Sequence, residues 1–63
     1  MKELKVELFK RDMNYQDLAD LLGISIRTVQ NKMNKVSNFN APEIAIIKKR
    51  LKLSDKRVSE IFY

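Results

Sequence analysis

The chain has 63 residues and a net charge of +5, and it contains neither cysteine nor histidine. A domain of this size buries only about 60% of its unfolded surface, so an enzyme is not expected. Because the chain has no thiolate or imidazole ligands, neither a cofactor nor a bound metal is expected. No apolar run approaches the roughly 20 residues of a membrane span, and charges interrupt the N-terminus too often for a signal peptide, so we expect a cytoplasmic protein.

The first predicted helix covers Met1–Arg11, with Leu4 and Leu8 on one apolar face. Other apolar side chains are expected beside that face: Val6, Phe9 and Met13. Charged side chains are expected in solvent: Lys2, Glu3, Glu7 and Lys10. We expect this helix to close the core behind the next two helices and to carry no chemistry.

The second and third helices are predicted to meet at Gly23, the only glycine in the chain. Asn14 can cap the second helix, and Asp17 can bond the Asn14 amide in return. Glycine enters the left-handed region without a Cβ clash, so the second helix is predicted to end at Gly23. Ser25 can then cap a third helix over Ile26–Asn34.

The third helix has two chemically different faces. Val29 and Met33 lie one turn apart and are expected to face the core. The opposite side is expected to present Arg27, Gln30, Asn31 and Asn34. Arginine pairs with guanine, and Asn or Gln with adenine, in the major groove. A merely solvated face is the alternative, but small Ala19 followed by Gly23 favours a helix-turn-helix over residues 15–34.

The rest of the chain predicts two further helices after a loop over Asn34–Asn40. Asn40 can cap the fourth helix together with Glu43, and Phe39 is expected in the core. The buried stripe of the fourth helix is expected to contain Ile44, Ile47 and Leu51. Ser54 can cap a last helix within Leu53–Tyr63. The whole chain, residues 1–63, is therefore predicted to be one all-α domain of five helices.

The chain resembles the lambda-repressor-like helix-turn-helix proteins of the Cro/CI type. The residues that carry the resemblance are Leu18, Ala19, Gly23, Ile24, Ser25, Thr28, Val29 and Met33. The later segments NKMNK…FNAPEI and LSDKRVSEIFY are similar to short phage-type regulators of Gram-positive bacteria. The resemblance covers nearly the whole chain and implies the five-helix lambda-repressor-like fold.

The predicted DNA contacts fall into two groups. The residues expected to read bases are Arg27, Gln30 and Asn31, with Ile26 and Ser25 assisting. The residues expected to bind phosphate are Gln16, Thr28, Asn34, Lys35, Asn38 and Asn40. For Ile26, contact with thymine methyl groups and partial burial are both open. For Tyr15, a backbone contact implied by the resemblance and a hydrophobic lid over Phe9 are both open.

Charge and resemblance together indicate double-stranded DNA as the partner. Residues 1–23 hold four basic and five acidic side chains, whereas residues 24–63 hold nine and three, so the positive charge begins at the third helix. The leading hypothesis is a Cro/CI-like transcriptional repressor of a phage or mobile element, with no small-molecule ligand evident. The alternatives are an excisionase-like architectural DNA binder and a helix-turn-helix scaffold reused as a protein-binding inhibitor or antitoxin. Paired half-sites would require a homodimer, for which Tyr63 is left open while Val58 and Phe62 are expected to pack within the monomer.

Overall fold

The computed structural model describes residues 2–34 and 39–63, which form five α-helices and no strand. The helices are α1 (Lys2–Lys10), α2 (Tyr15–Leu22), α3 (Ile26–Met33), α4 (Ala41–Leu51) and α5 (Asp55–Phe62). The all-α class and the number of helices predicted from the sequence are confirmed.

Every predicted N-cap is present. The Asn14 carboxamide oxygen accepts the Asp17 N–H at 2.9 Å, and the Asp17 carboxylate accepts the Asn14 N–H at 2.9 Å. The fourth helix repeats this capping box, in which Asn40 and Glu43 exchange two hydrogen bonds of 2.9 Å. The hydroxyls at the starts of α3 and α5 accept one N–H each. These bonds satisfy amides that a helix start otherwise leaves unpaired.

Three of the helices end in the same turn. At the end of α2, Gly23 has φ 69°, its N–H points to the Asp20 carbonyl (3.4 Å), and the next N–H donates to the Ala19 carbonyl (3.1 Å). This pair of bonds is a Schellman motif. Equivalent bonds close α1 and α4, with Asp12 (φ 57°) and Lys52 (φ 56°) in the left-handed position. Only the glycine turn was predicted from the sequence.

The core collects one apolar stripe from each of the five helices and two further side chains from the connecting segments, Phe39 and Leu53. Its members are Leu4, Leu8, Leu18, Ala19, Val29, Met33, Phe39, Ile47, Leu51, Leu53, Val58 and Ile61. Phe39 is buried, as predicted, and its ring meets the Phe62 ring edge-on at 6.0 Å between centroids. The small side chain at position 19 is fully buried where α2 packs against α3. Ile44 is half-buried at the edge of the core.

Three predictions for α1 are wrong. Glu7 is buried rather than in solvent, and Phe9 is 84% exposed rather than beside the core. At about 100° per residue, Phe9 lies about 120° from the middle of the Leu4–Leu8 stripe, whereas Glu7 lies only about 80° from it on the other side. Val6 is exposed as well. Helix geometry therefore turns Glu7 toward α5 and leaves Phe9 outside.

Buried Glu7 is the centre of an ionic cluster behind the core. One carboxylate oxygen accepts from Arg57 Nε at 2.8 Å, and the other accepts from Arg11 Nη1 at 2.6 Å. Arg57 also reaches Glu3 at 2.9 Å, and Arg11 Nη2 donates to the Leu51 carbonyl at 2.8 Å. The cluster thus ties α1 to α5 and to the end of α4.

Candidate nucleic-acid interface

The outward face of α3 is built by the burial of its opposite face. Val29 is fully buried and Met33 is 4% exposed. Because the helix is fixed by these two side chains, residues on its other side must point away from the core. The exposed side chains there are Arg27, Gln30, Asn31 and Asn34, the set predicted from the sequence.

In the part of the chain that the structure describes, three of these polar side chains have no partner. Among residues 2–34 and 39–63, the side chains of Arg27, Gln30 and Asn31 make no hydrogen bond or ion pair. Arg11 and Arg57, by contrast, both bind Glu7. A free guanidinium fork next to two free carboxamides offers paired donors and acceptors on one surface. Such groups can bind the edges of planar polar ligands, including bases.

Ser25 and Thr28 are engaged at the start of α3. The Ser25 hydroxyl accepts the Thr28 N–H at 3.1 Å, and the two hydroxyl oxygens are 2.9 Å apart. Ile26 lies between them in the chain and is 38% exposed. Ile26 is therefore neither a core residue nor a fully projecting one, and part of its surface is available to a ligand.

The predicted phosphate contacts lie at several places around α3. Gln16 is exposed and donates to the Asp20 carboxylate at 2.9 Å. Asn34 is exposed at the C-cap of α3, while the Asn40 side chain is held in the α4 capping box. With Pro42 in the first turn, few amides of α4 remain for an anion. Lys35 and Asn38 lie outside the described residues.

Lys32 connects α3 to α4 rather than extending the polar face. Its ammonium is 3.1 Å from the Glu43 carboxylate and 5.6 Å from the centre of the Phe39 ring. Both charged side chains of the pair are nearly nine-tenths buried. The pair holds the start of α4 against α3. It could not be predicted from spacing along one helix, because the partners belong to different elements.

Sequence reasoning also missed a groove beside α3. Lys5 and Phe9 of α1 line it together with Gln16, Ile26 and Gln30, and its volume is about 430 Å³. Tyr15 also lines this groove and is half-buried against the core. Of the two alternatives for Tyr15, the lid over Phe9 does not hold, because the Phe9 ring is 84% exposed. The sequence did contain one indication of this groove, because Phe9 lies outside the Leu4–Leu8 stripe of α1.

The shifted pKa values in the described residues belong to side chains that form ion pairs. Hydrogen bonds from Arg57 and then Arg11 lower the pKa of Glu7, despite a burial that acts in the opposite direction. Hydrogen bonds to Glu7 first and then to Glu3 raise the pKa of Arg57. On the surface, the Lys48 ammonium bonds Asp55 and lowers the pKa of that carboxyl. These ion pairs join α1, α4 and α5, and none of them involves a side chain of α3.

No group of three or more metal-binding side chains occurs in the described part of the chain. Across residues 2–34 and 39–63, none of the helices has both the length and the apolar character to cross a bilayer. Comparison with protein-family models found no matching family, and comparisons with curated proteins and with solved structures found no significant match.

Proposed function

We propose that the protein is a sequence-specific double-stranded DNA-binding transcriptional regulator whose α3 enters the major groove. The outward face of α3 carries the proposal. Arg27, Gln30 and Asn31 are exposed together and have no partner in the described residues, while the opposite face of the helix is rooted in the core. Arginine matches the two acceptors of guanine, and a carboxamide matches the donor and acceptor of adenine.

The connection between α2 and α3 supports a helix-turn-helix. The two helices are separated by three residues, with Gly23 in the left-handed conformation and Ser25 as the next N-cap. Ala19 is fully buried near their crossing. In this class of motif the first helix crosses the DNA backbone and the second lies in the groove. Gln16, near the start of α2, would then contact phosphate.

The regulatory role rests on the resemblance to short Cro/CI-type regulators of phages and mobile elements. Such proteins read paired half-sites about one DNA turn, roughly 34 Å, apart and bind as dimers. Tyr63 is 85% exposed, whereas Phe62 packs edge-on against Phe39. We therefore propose a homodimer on DNA in which Tyr63 is available to the second copy, and the native mass of the complex tests it.

A selection from random-sequence duplexes tests the proposal. The expected result is enrichment of one sequence motif, with an affinity whose logarithm falls linearly with the logarithm of salt concentration. A scaffold that binds only proteins would shift no duplex even at low salt. Binding without any enriched motif would instead indicate an architectural role, and either result would contradict a sequence-specific regulator.

A further inference from the structure

The charges of α1 are segregated around the helix. Glu3 and Glu7 turn toward α5, where Arg57 binds them at 2.9 and 2.7 Å. Lys2 and Lys5 lie three residues apart and therefore share a different side of α1. Neither lysine has an ion pair within the described residues. The segment that is negative by sequence count thus presents unneutralised positive charge on one side.

That positive side of α1 adjoins the end of α3. Lys2 and Lys5 line one cleft together with Tyr15 and Asn34. Asn34 is the C-cap of α3 and belongs to the exposed polar face. The two lysines therefore lie next to the surface that we assign to DNA, although they are about thirty residues away in the chain.

Lys5 also lines the groove between α1 and α3. On the α3 side the groove is walled by Ile26 and Gln30, and on the α1 side by the 84% exposed ring of Phe9. An exposed aromatic ring beside a lysine offers an apolar contact and a cation at one place. A nucleic-acid strand presents the matching pair, an apolar sugar face and a phosphate.

We propose that α1 forms a second contact surface for the duplex, in which Lys2 and Lys5 bind phosphates of the strand that flanks the bases read by α3, and Phe9 packs against a deoxyribose. The inference rests on the proposed function. It is carried by charge complementarity and by the continuity of the α1 cleft and groove with the α3 face. Phosphate contacts of this kind add affinity but carry no sequence information.

The test is a salt series on duplexes of about 30 base pairs, three helical turns, one carrying the selected motif and one of random sequence. Each phosphate contact contributes a slope of about −0.9 to the dependence of log K on log salt. The variant K2A/K5A is expected to reduce the slope on both duplexes by about 2 for each bound protomer, and so by about 4 for the proposed dimer. The motif selected by the variant should be that of the wild type. Phe9→Ala should weaken binding at every salt concentration and leave the slope unchanged.

Two control variants make the result specific. K2R/K5R retains the charges and should retain the slope. K49A/K52A removes two lysines from the end of α4, which lie beside Leu21 and Ile46, and should leave the slope unchanged. Wild-type binding with an unaltered slope in K2A/K5A would overturn the α1 surface while leaving the proposed function intact. Absence of wild-type binding to any duplex would overturn both.

Discussion

Arg11, Arg27 and Arg57 have two different roles in this protein. Arg11 and Arg57 are bound to buried Glu7 and hold α1, α4 and α5 together. Arg27 projects from α3 and has no ion pair within the described residues. A guanidinium committed to a buried carboxylate contributes to stability, whereas an uncommitted one is available to a ligand. At the scale of single residues, burial of the carboxylate partner separates the two roles.

Replacing Glu7 by Gln should destabilise the fold. The change removes the negative charge that Arg11 and Arg57 share, so Arg57 keeps only its more exposed contacts with Glu3 and Glu60, and Arg11 keeps only carbonyl acceptors. Breaking a buried pair costs about 3–5 kcal/mol, and the partial exposure of both arginines places this case nearer 2–3 kcal/mol. Denaturant unfolding at neutral pH measures it. Asp55→Asn, at a surface pair on a 90% exposed carboxylate, should leave the denaturant midpoint nearly unchanged.

The lowered pKa of Glu7 also predicts a pH dependence. Above its ordinary pKa of 4.5, the carboxyl is ionised in both states and its contribution to stability is complete. As pH falls below 4.5, the unfolded chain takes up the proton first, so the free energy of unfolding decreases until the pH passes the folded pKa. Unfolding curves between neutral pH and about 3 should show this loss in wild type and a smaller loss in Glu7→Gln. Parallel curves would contradict it.

The position of Glu7 shows where sequence reasoning stops at this scale. Its spacing from Arg11 indicates one ion pair, but Arg57 lies 50 residues further along. Only the packing of α5 on α1 brings that second guanidinium close enough to neutralise a buried carboxylate. A charged residue beside an apolar stripe was therefore predicted to be in solvent, and the error could not be corrected without the tertiary contact.

At the scale of elements, the helix starts were predictable and the helix ends only in part. The predicted caps Asn14, Ser25, Asn40 and Ser54 each accept an N–H three residues on. Side-chain caps are local, so the sequence carries the whole signal. Two of the three Schellman turns use Asp12 and Lys52 in place of glycine. Nothing in those residue types requires a left-handed conformation, so these two turns became visible only in the structure.

Lys52→Gly should stabilise the protein. Lys52 has φ 56°, a conformation that costs an ordinary L-residue about 1 kcal/mol and glycine almost nothing. We expect a gain of up to about 1 kcal/mol in the free energy of unfolding. Lys49→Gly, within α4, is the matched control and should lower stability by about 0.5–1 kcal/mol. A loss of stability in Lys52→Gly would contradict the left-handed cap.

Gly23→Ala should cost stability through backbone conformation alone. A Cβ at this position would meet no atom within 4 Å, but φ is +69°. The expected loss is about 1–2 kcal/mol, and thermal unfolding measures it. Gly23→Asn should lose less, because asparagine tolerates the left-handed region better. Equal losses for Ala and Asn would point to a cause other than the backbone angle.

At the scale of the whole molecule, charge is sorted by location. Glu7 and Glu3 are bound by arginines behind the core, and Glu43 is paired with Lys32 at the junction of α3 and α4. The sequence predicted five helices and the outward face of α3, because both follow from helical periodicity. It did not predict the lysine side of α1, since the acidic residues that neutralise the other side hide it in any count along the chain.

We propose that the outward face of α3 selects a DNA sequence. A parallel binding-site selection with wild type and Arg27→Ala measures this selectivity. The variant is expected to keep the overall motif but to lose its preference at one base pair of each half-site, with about 1–3 kcal/mol less affinity per half-site. Asp55→Asn serves as the control on a distant surface and should return the wild-type motif. If Arg27→Ala selects the same motif with the same preference at every position, the outward face of α3 does not read the bases as proposed.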